Sequence, residues 1–234
     1  MILDTNCELP ATIYRNIVSA HSALSVFDDL AEGDAEAFAT AVNSTQAIVP
    51  PLVGRASTNI IDSGFAYSQA IAFPFVKANW AQSRFSDGSF PCLYASDSVM
   101  TTVYETCYHF LHELDALSTC DQEVVRHRSV YTIKAKGLLV DLSSKVSQYP
   151  LLLGNDYSFC QSVGLKASQS GMPGLKALSA RLDNAANFVF FQTNLLTHPS
   201  LLKSLTYRAN LADKTVRVEG LDQHITLDLS IFWQ

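Results

Sequence analysis

Charged residues are scarce in this sequence, making up 16% of its 234 residues, and the formal net charge is −6. A chain that is 48% hydrophobic and this poor in charge is expected to be globular and mostly ordered. The negative balance argues against a broad basic surface for nucleic acid or for an anionic membrane. A small anion pocket stays open, because a few arginines in a cleft are enough for one. The low-charge surface is also compatible with a homo-oligomer.

The five cysteines are an odd number and include no C-x-x-C pair. A disulfide scaffold or a zinc knuckle is therefore not expected, and a reducing compartment fits this usage. The first ten residues lack a basic segment followed by a long apolar one, so we predict no signal peptide. No apolar run approaches eighteen residues, which argues against a membrane span. We expect a cytoplasmic protein, and the sequence leaves delivery as an effector open.

Common cofactor and nucleophile motifs are missing as well. The sequence contains no G-x-G-x-x-G, no P-loop and no G-x-S-x-G, so the usual signals of a Rossmann fold, a phosphate loop and an α/β-hydrolase are lacking. The segment "HFLHE" brings His109 close to His112 and Glu113 on a helix, but its spacing is not H-E-x-x-H and no third ligand is identifiable. We therefore predict neither a metal nor a prosthetic group.

Strand-like segments outnumber long helical ones, and their order is mixed. Strands are predicted over 11–18, 91–95, 128–143, 174–181 and 187–192, with two or three antiparallel strands in 204–230. Helical patterns cover 23–44, 66–80 with a break at Pro74, 98–117 with a cap among residues 96–98, and 157–171, whereas 48–65 is loop-like. This pattern predicts a single α+β domain over 1–234 with a mostly antiparallel or split sheet.

Three polar side chains stand out within residues 83–109. Arg84 lies in a predicted loop, Tyr94 on a strand, and Glu105 on the polar face of a helix, about two turns from its start. Each one alone has an ordinary structural explanation, as an exposed arginine, a core tyrosine with one polar handle and a solvated glutamate. Their meaning depends on the wider pattern of the chain.

That wider pattern resembles the RES-domain family, which is named for an arginine, a glutamate and a serine. The matching elements, in the family's order, are Tyr14-Arg15, Ser83-Arg84-Phe85, the strand Pro91 to Ala95 with Tyr94, Thr101 to Glu105, Tyr157 with Gln161 and Gly164, Ser179-Ala180-Arg181, and Asn187 before "FVFF". The resemblance covers about residues 12–193, and the longer form of the family, with a helical insertion after the first strand, looks nearest. Many members have glycine where this chain has Ser83.

The resemblance implies a fold like that of ADP-ribosyltransferases, with an N-terminal helical insertion, and an enzyme whose substrate is NAD. Characterised members of the family are typically toxins of toxin–antitoxin pairs that cleave the nicotinamide–ribose bond by hydrolysis or phosphorolysis. Two alternatives stay open: transfer of ADP-ribose to a protein by the same site, and a non-catalytic module that binds a partner. A cognate antitoxin or immunity protein is the partner that the resemblance implies.

The catalytic set implied by the resemblance is Glu105, Arg84 and Tyr94. Breaking the nicotinamide–ribose bond builds positive charge on the ribose, and Glu105 is the residue of this set that can stabilise it. Arg15 and Arg84 would bind the pyrophosphate, because a planar guanidinium matches phosphate oxygens. Tyr94 would stack on the nicotinamide or orient the ribose.

The NAD-binding set comprises Arg15, Tyr14, Ser179, Arg181 and Asn187. Ser179 would hydrogen-bond near the nicotinamide amide or the ribose rather than act as a nucleophile, since no base is placed to activate it. For two members a structural explanation competes, namely a salt bridge from Arg181 to Asp183 and a turn cap for Asn187.

Overall fold

The computed structural model describes residues 2–19, 66–115, 123–210 and 212–228. The helical pattern over 23–44, the loop-like stretch over 48–65, and with them the predicted helical insertion, lie outside these residues. None of the described helices is long and apolar enough to cross a membrane.

Ten of the described strands form one sheet, and two short ones form a separate hairpin. In chain order they are β1 (Asn6–Glu8), β2 (Thr12–Val18), β3 (Gln82–Ser83), β4 (Ser86–Asp87), β5 (Leu93–Ser96), β6 (Val124–Ala135), β7 (Leu138–Asp141), β8 (Gly174–Leu178), β9 (Ala186–Phe190), β10 (Leu196–Asn210), β11 (Thr215–Glu219) and β12 (Ile225–Asp228). The order across the sheet is β1-β7-β8-β9-β5-β2-β6-β10-β11-β12, and β3 pairs with β4.

Every neighbouring pair in the large sheet is antiparallel except β7 and β8. Together with two longer helices, this makes the chain an α+β protein, as the sequence predicts. The region 128–143 forms two strands, β6 and β7, with Gly137 at positive φ between them. Strand β10 begins at Leu196, well before the predicted 204. Two register shifts interrupt its pairing with β6 and disturb the alternation that marks a strand, so the sequence did not predict this first part of β10.

The two longer helices of the described residues are α1 (Val99–Asp115) and α2 (Ser158–Gln169). The hydroxyl of Ser98 accepts a hydrogen bond from the Thr101 N–H (3.0 Å), so Ser98 caps α1 within the predicted 96–98. Residues 66–80 form a broken helix, as predicted, because a π-helical turn (Ser68–Ala72) gives way to two short 3-10 turns, Phe73–Phe75 and Lys77–Asn79. Two further 3-10 turns cover Ser143–Lys145 and Pro150–Leu152.

Both helices lie on the same face of the sheet. Beneath α1, Phe110 packs near Tyr207, and beneath α2, Val189 of β9 belongs to a separate apolar cluster. The opposite face carries a third cluster that includes Ile13 and Phe188, and the segment from Ala66 to Ile71 covers part of it. Alternation along β9 therefore directs its odd-numbered side chains toward the helices.

The sheet opens between β2 and β5. Strand β2 pairs with β6 along all of its residues, from Thr12 to Val18, but with β5 only where Tyr14 faces Ser96. Past that pair, none of the described residues pairs with β2 on the side of β5, and we call this interruption the gap. This gap is the split in the sheet, and it lies beside the N-terminal end of α1.

Candidate active site

Glu105 of α1 lies where β8 and β9 reach the helix face of the sheet. Its Oε1 accepts two hydrogen bonds, one from the Ser179 hydroxyl (2.7 Å) and one from the Asn187 side-chain amide (2.5 Å). No described residue donates a hydrogen bond to the second oxygen, Oε2. The carboxylate is thus held by one oxygen and open at the other, and the predicted residues Glu105, Ser179 and Asn187 come together.

Hydrogen bonds through Asp97 join the first turn of α1 to β9, and they set the position of Glu105 relative to the sheet. Asp97 accepts a hydrogen bond from the Thr101 hydroxyl on one oxygen (2.5 Å) and from the backbone N–H of Ala186 on the other (2.8 Å). Because Ala186 directly precedes Asn187, the same contact that anchors the helix sets the distance between Glu105 and its amide donor.

The hydroxyl of Ser179 is fully used by its surroundings. Its oxygen accepts hydrogen bonds from the backbone N–H groups of Arg181 and Leu182, both at 3.1 Å, and its proton points to Glu105. A serine hydroxyl offers one proton and two lone pairs, and here all three are engaged. That Ser179 binds NAD rather than acting as a nucleophile stays a prediction.

Asn187 lies inside β9, not in a turn, so it is not the turn cap that we considered as its alternative role. Its side-chain oxygen accepts a hydrogen bond from the hydroxyl of Ser96 (2.7 Å), which orients the amide so that its NH₂ group faces Glu105. Tyr14 pairs with Ser96 across the strands, and its side chain therefore points toward the same face of the sheet.

Arg84 lies in the turn between β3 and β4. One of its terminal nitrogens donates to the backbone oxygens of Gly154 (2.7 Å) and Leu152 (3.3 Å), and its guanidinium carbon lies 4.5 Å from the centre of the Tyr157 ring. The arginine thereby joins its own turn to the segment that leads into α2. If Arg84 binds the pyrophosphate of NAD as predicted, the guanidinium nitrogens that do not bind Gly154 and Leu152 would make that contact.

Helix α2 contacts the same turn through residues that lie far away in the chain, such as Gln161, which is 78 positions from Ser83. The side-chain amide of Gln161 donates to the Ser83 carbonyl (3.0 Å). Gly164 faces the Phe85 carbonyl so closely that a Cβ atom there would lie 1.9 Å from that oxygen. The turn, the residue Tyr157 before α2, and Gln161 and Gly164 of α2 therefore form a single docked unit around Arg84.

The hydroxyl of Tyr94 also belongs to this unit. It accepts a hydrogen bond from the Phe85 N–H (2.9 Å) and shares another with the Ser83 hydroxyl (2.9 Å). Burial of the phenol raises the pKa of Tyr94 well above its ordinary value. The hydroxyl thus holds the turn that carries Arg84, and the predicted stacking on nicotinamide concerns only the ring and stays a prediction.

Arg15 leaves β2 on the side of Ile13 and Ile17, which is the face opposite to α1. Its guanidinium donates to the Tyr94 carbonyl on β5 (3.1 Å), across the gap in the sheet, and its Nε is buried without a partner. Desolvation lowers the pKa of Arg15 to about 10. Arg15 therefore lines the split in the sheet and makes no hydrogen bond to Glu105.

Arg181 follows Ser179 and turns toward the start of α2. It donates to the side-chain oxygen of Asn155 (2.9 Å), and its guanidinium carbon lies 3.4 Å from the centre of the Tyr108 ring. Its Nε is buried without a partner. The contacts are therefore with an amide and an aromatic ring, and the salt bridge to Asp183 that we considered as its alternative role is not formed.

A buried polar network beneath α1 escaped the sequence-based reasoning. The side-chain amide of Asn16 approaches the hydroxyls of Tyr207 (2.9 Å), Thr102 (3.3 Å) and Thr106 (3.4 Å). The Nε of Arg128 donates to the Asn16 side-chain oxygen (2.7 Å). The only available signal was a polar residue on the inward face of a strand, and it did not identify the partners. Within the described part of the chain, no group of three or more His, Cys, Asp or Glu residues could hold a metal.

Comparison with known proteins places this chain in a family. A family model described as "RES domain" matches residues 60–210, which is more than half of the chain. No curated protein matches. Among solved structures, the chain is similar to one from the "Crystal structure of the M.tuberculosis MbcT-MbcA toxin-antitoxin complex", with 14% identity, a TM-score of 0.45, and coverage of 97% of this chain and 90% of that one. The matched region contains Arg84, Glu105 and Ser179, and the chain belongs to the RES domain family.

Proposed function

We propose that this chain is an enzyme that consumes NAD by breaking the bond between nicotinamide and ribose. The observation that carries the proposal is the carboxylate of Glu105, fixed through Oε1 by Ser179 and Asn187 and open at Oε2. When that bond breaks, its electrons go to the nicotinamide nitrogen and positive charge develops on the ribose ring. A carboxylate already oriented by two donors can stabilise this charge without first reorganising.

Unsatisfied cationic groups support an anionic substrate. The Nε atoms of Arg15 and Arg181 are buried and have no acceptor among the described residues. A buried donor without a partner is costly, and more so when the group is charged, because it has lost its hydration. Phosphate oxygens of the substrate would bind the other guanidinium nitrogens of these arginines, since a guanidinium and a phosphate match in geometry and in charge. The pyrophosphate of NAD carries such oxygens.

The biological role that we propose is that of the toxin in a toxin–antitoxin pair, with a protein antitoxin that covers the cleft. Membership of the RES domain family supports this role. The proposal includes no prosthetic group: the positively charged pyridinium of NAD is itself a good leaving group.

The test is to incubate the purified protein with NAD in the presence and absence of phosphate and to identify the products. Free ADP-ribose identifies a hydrolase, and ADP-ribose-1″-phosphate formed only with phosphate identifies a phosphorylase. ADP-ribose attached to protein identifies a transferase. If the protein consumes no NAD under any of these conditions, the enzyme proposal is wrong and a non-catalytic binding module becomes the better description.

A further inference from the structure

His109 lies one helical turn after Glu105 on α1. Residues four apart on a helix lie on the same side, with Cβ atoms about 6 Å from each other. His109 is solvent-exposed, and its ring meets the Tyr108 ring edge to face at 5.3 Å between centres. Among the described residues, none hydrogen-bonds to its ring nitrogens. The imidazole therefore lies beside Glu105, and its unprotonated nitrogen can accept a proton.

The charged groups around His109 come from three separate parts of the chain. Its imidazole interacts electrostatically with Arg181, in the segment after β8, and with Arg84, in the turn between β3 and β4. Glu105 and Glu113 of its own helix also interact with it electrostatically. The ring of His112, a further titratable group on α1, also contacts Tyr108, at 6.1 Å. His109 thus stands among the two arginines and the carboxylate already identified as parts of the candidate site.

These surroundings favour the neutral form of the imidazole. Crowding by protein atoms lowers the pKa of His109 below its ordinary value of 6.5, and the charges of Arg181 and Arg84 lower it further. Glu105 and Glu113 oppose this effect but do not reverse it. A neutral imidazole can accept a proton.

The other groups beside Glu105 are unsuited to remove a proton. The hydroxyl of Ser179 is saturated by three hydrogen bonds. Glu105 itself must remain a carboxylate facing the ribose if it is to stabilise positive charge there. The two nearby arginines stay protonated.

We propose that His109 is the catalytic base that accepts a proton from the water molecule attacking C1′ of NAD. This inference rests on the proposed function and names the acceptor: water rather than phosphate. The water oxygen forms a bond to C1′, and the C1′–nitrogen bond breaks with its electron pair moving to the pyridinium, which leaves as neutral nicotinamide. One water proton passes to His109 and from there to solvent, and the products are ADP-ribose, nicotinamide and one proton.

The experiment compares the wild-type chain with His109→Gln and with His112→Gln as a matched control on the same helix. We expect His109→Gln to lower the kcat for NAD hydrolysis about 100-fold, the lower end of what general bases contribute. The KM should change less than about threefold, because the base acts only on the attacking water. Sodium azide, an anionic nucleophile that needs no deprotonation, should restore NAD consumption in the variant. His112→Gln should behave like the wild type.

The pH profile provides the second measurement. In the wild type, kcat/KM should fall as the pH drops through the pKa of His109, which its surroundings lower from the ordinary value, because protonation of the free enzyme removes the acceptor. In His109→Gln this acidic limb should disappear. If the wild type consumes NAD and His109→Gln hydrolyses it at the same rate with the same profile, the base assignment is wrong while the proposed function stands. If the wild type consumes no NAD, both are wrong.

Discussion

Ser179 donates its proton to Glu105 across 2.7 Å, although 74 residues separate the two in the chain. The same serine oxygen accepts two backbone N–H groups, so its proton has a single direction. Ser179 therefore does two things at once: it closes the turn at residues 179–182, and it positions the Glu105 carboxylate. The geometry of this turn and the orientation of Glu105 are therefore coupled, and the coupling can be tested by changing either Glu105 or Ser179.

Glu105→Gln should abolish NAD turnover while the protein stays folded. The amide carries no negative charge and cannot stabilise the positive ribose, so we expect kcat to fall at least about 100-fold, as for loss of a major electrostatic group. Glu113→Gln is the control, since Glu113 lies on the same helix but pairs with Arg126 at the surface. Activity assays combined with thermal unfolding check this prediction. A folded Glu105→Gln protein with full activity would refute the site.

Ser179→Ala should reduce both stability and activity. The change leaves the N–H groups of Arg181 and Leu182 without their acceptor and removes one donor from Glu105. We expect the free energy of unfolding to drop by about 1–3 kcal/mol, the usual cost of unsatisfied buried groups. Urea unfolding and steady-state kinetics measure the two effects. An unchanged kcat would mean that the serine does not orient the carboxylate.

Gly164→Ala should destabilise the protein strongly. A Cβ atom at this position would lie 1.9 Å from the Phe85 carbonyl oxygen, so α2 and the turn that carries Arg84 must move apart. We expect the free energy of unfolding to fall by about 3 kcal/mol, near the top of the range for overpacking.

Gly154→Ala provides the matched control for that change, because the nearest atom to its Cβ would lie at 3.5 Å. Its effect on the free energy of unfolding should stay within about 0.5 kcal/mol. Chemical denaturation of both variants makes the comparison. Equal stability of Gly164→Ala and Gly154→Ala would contradict the close docking of α2.

Arg15→Met should separate stability from substrate binding. The native side chain is a half-buried cation whose buried Nε has no partner among the described residues and whose pKa is lowered to about 10 by desolvation. An apolar side chain of similar length removes that cost but also the hydrogen bond to the Tyr94 carbonyl, so the free energy of unfolding should stay within about 1 kcal/mol of the wild type. If Arg15 binds the pyrophosphate, the KM for NAD should rise at least about tenfold, the lower end for loss of a charged hydrogen bond. A stable variant with an unchanged KM would remove Arg15 from the binding set.

Local patterns accounted for most of the fold. The cap at Ser98, the polar face that carries Glu105, and the break at Pro74 all follow from preferences that act over a few residues. The start of β10 at Leu196 was missed for the same reason, because its bulges interrupt the period of two on which strand prediction depends.

The candidate site was predicted as a set of residues and not as an arrangement. The pattern singled out Glu105, Ser179 and Asn187, and the structure joins them. The pattern did not indicate that the Tyr94 hydroxyl holds a turn, or that Arg15 lies in the split of the sheet. Partners such as Asn155 and Ser96 carried no sequence signal, because one amide or hydroxyl in a polar stretch resembles any other.

The sequence by itself determined which helix or strand carries each candidate residue and the family to which the chain belongs. Only the tertiary structure decided which donor meets which acceptor, since those contacts join residues far apart in the chain. The order of the strands brings β9 and β5 side by side, and the docking of α1 over them turns Glu105 toward Ser179. Such contacts depend on long-range pairing and packing, and hydrophobic periodicity, which is a local property, carries no information about them.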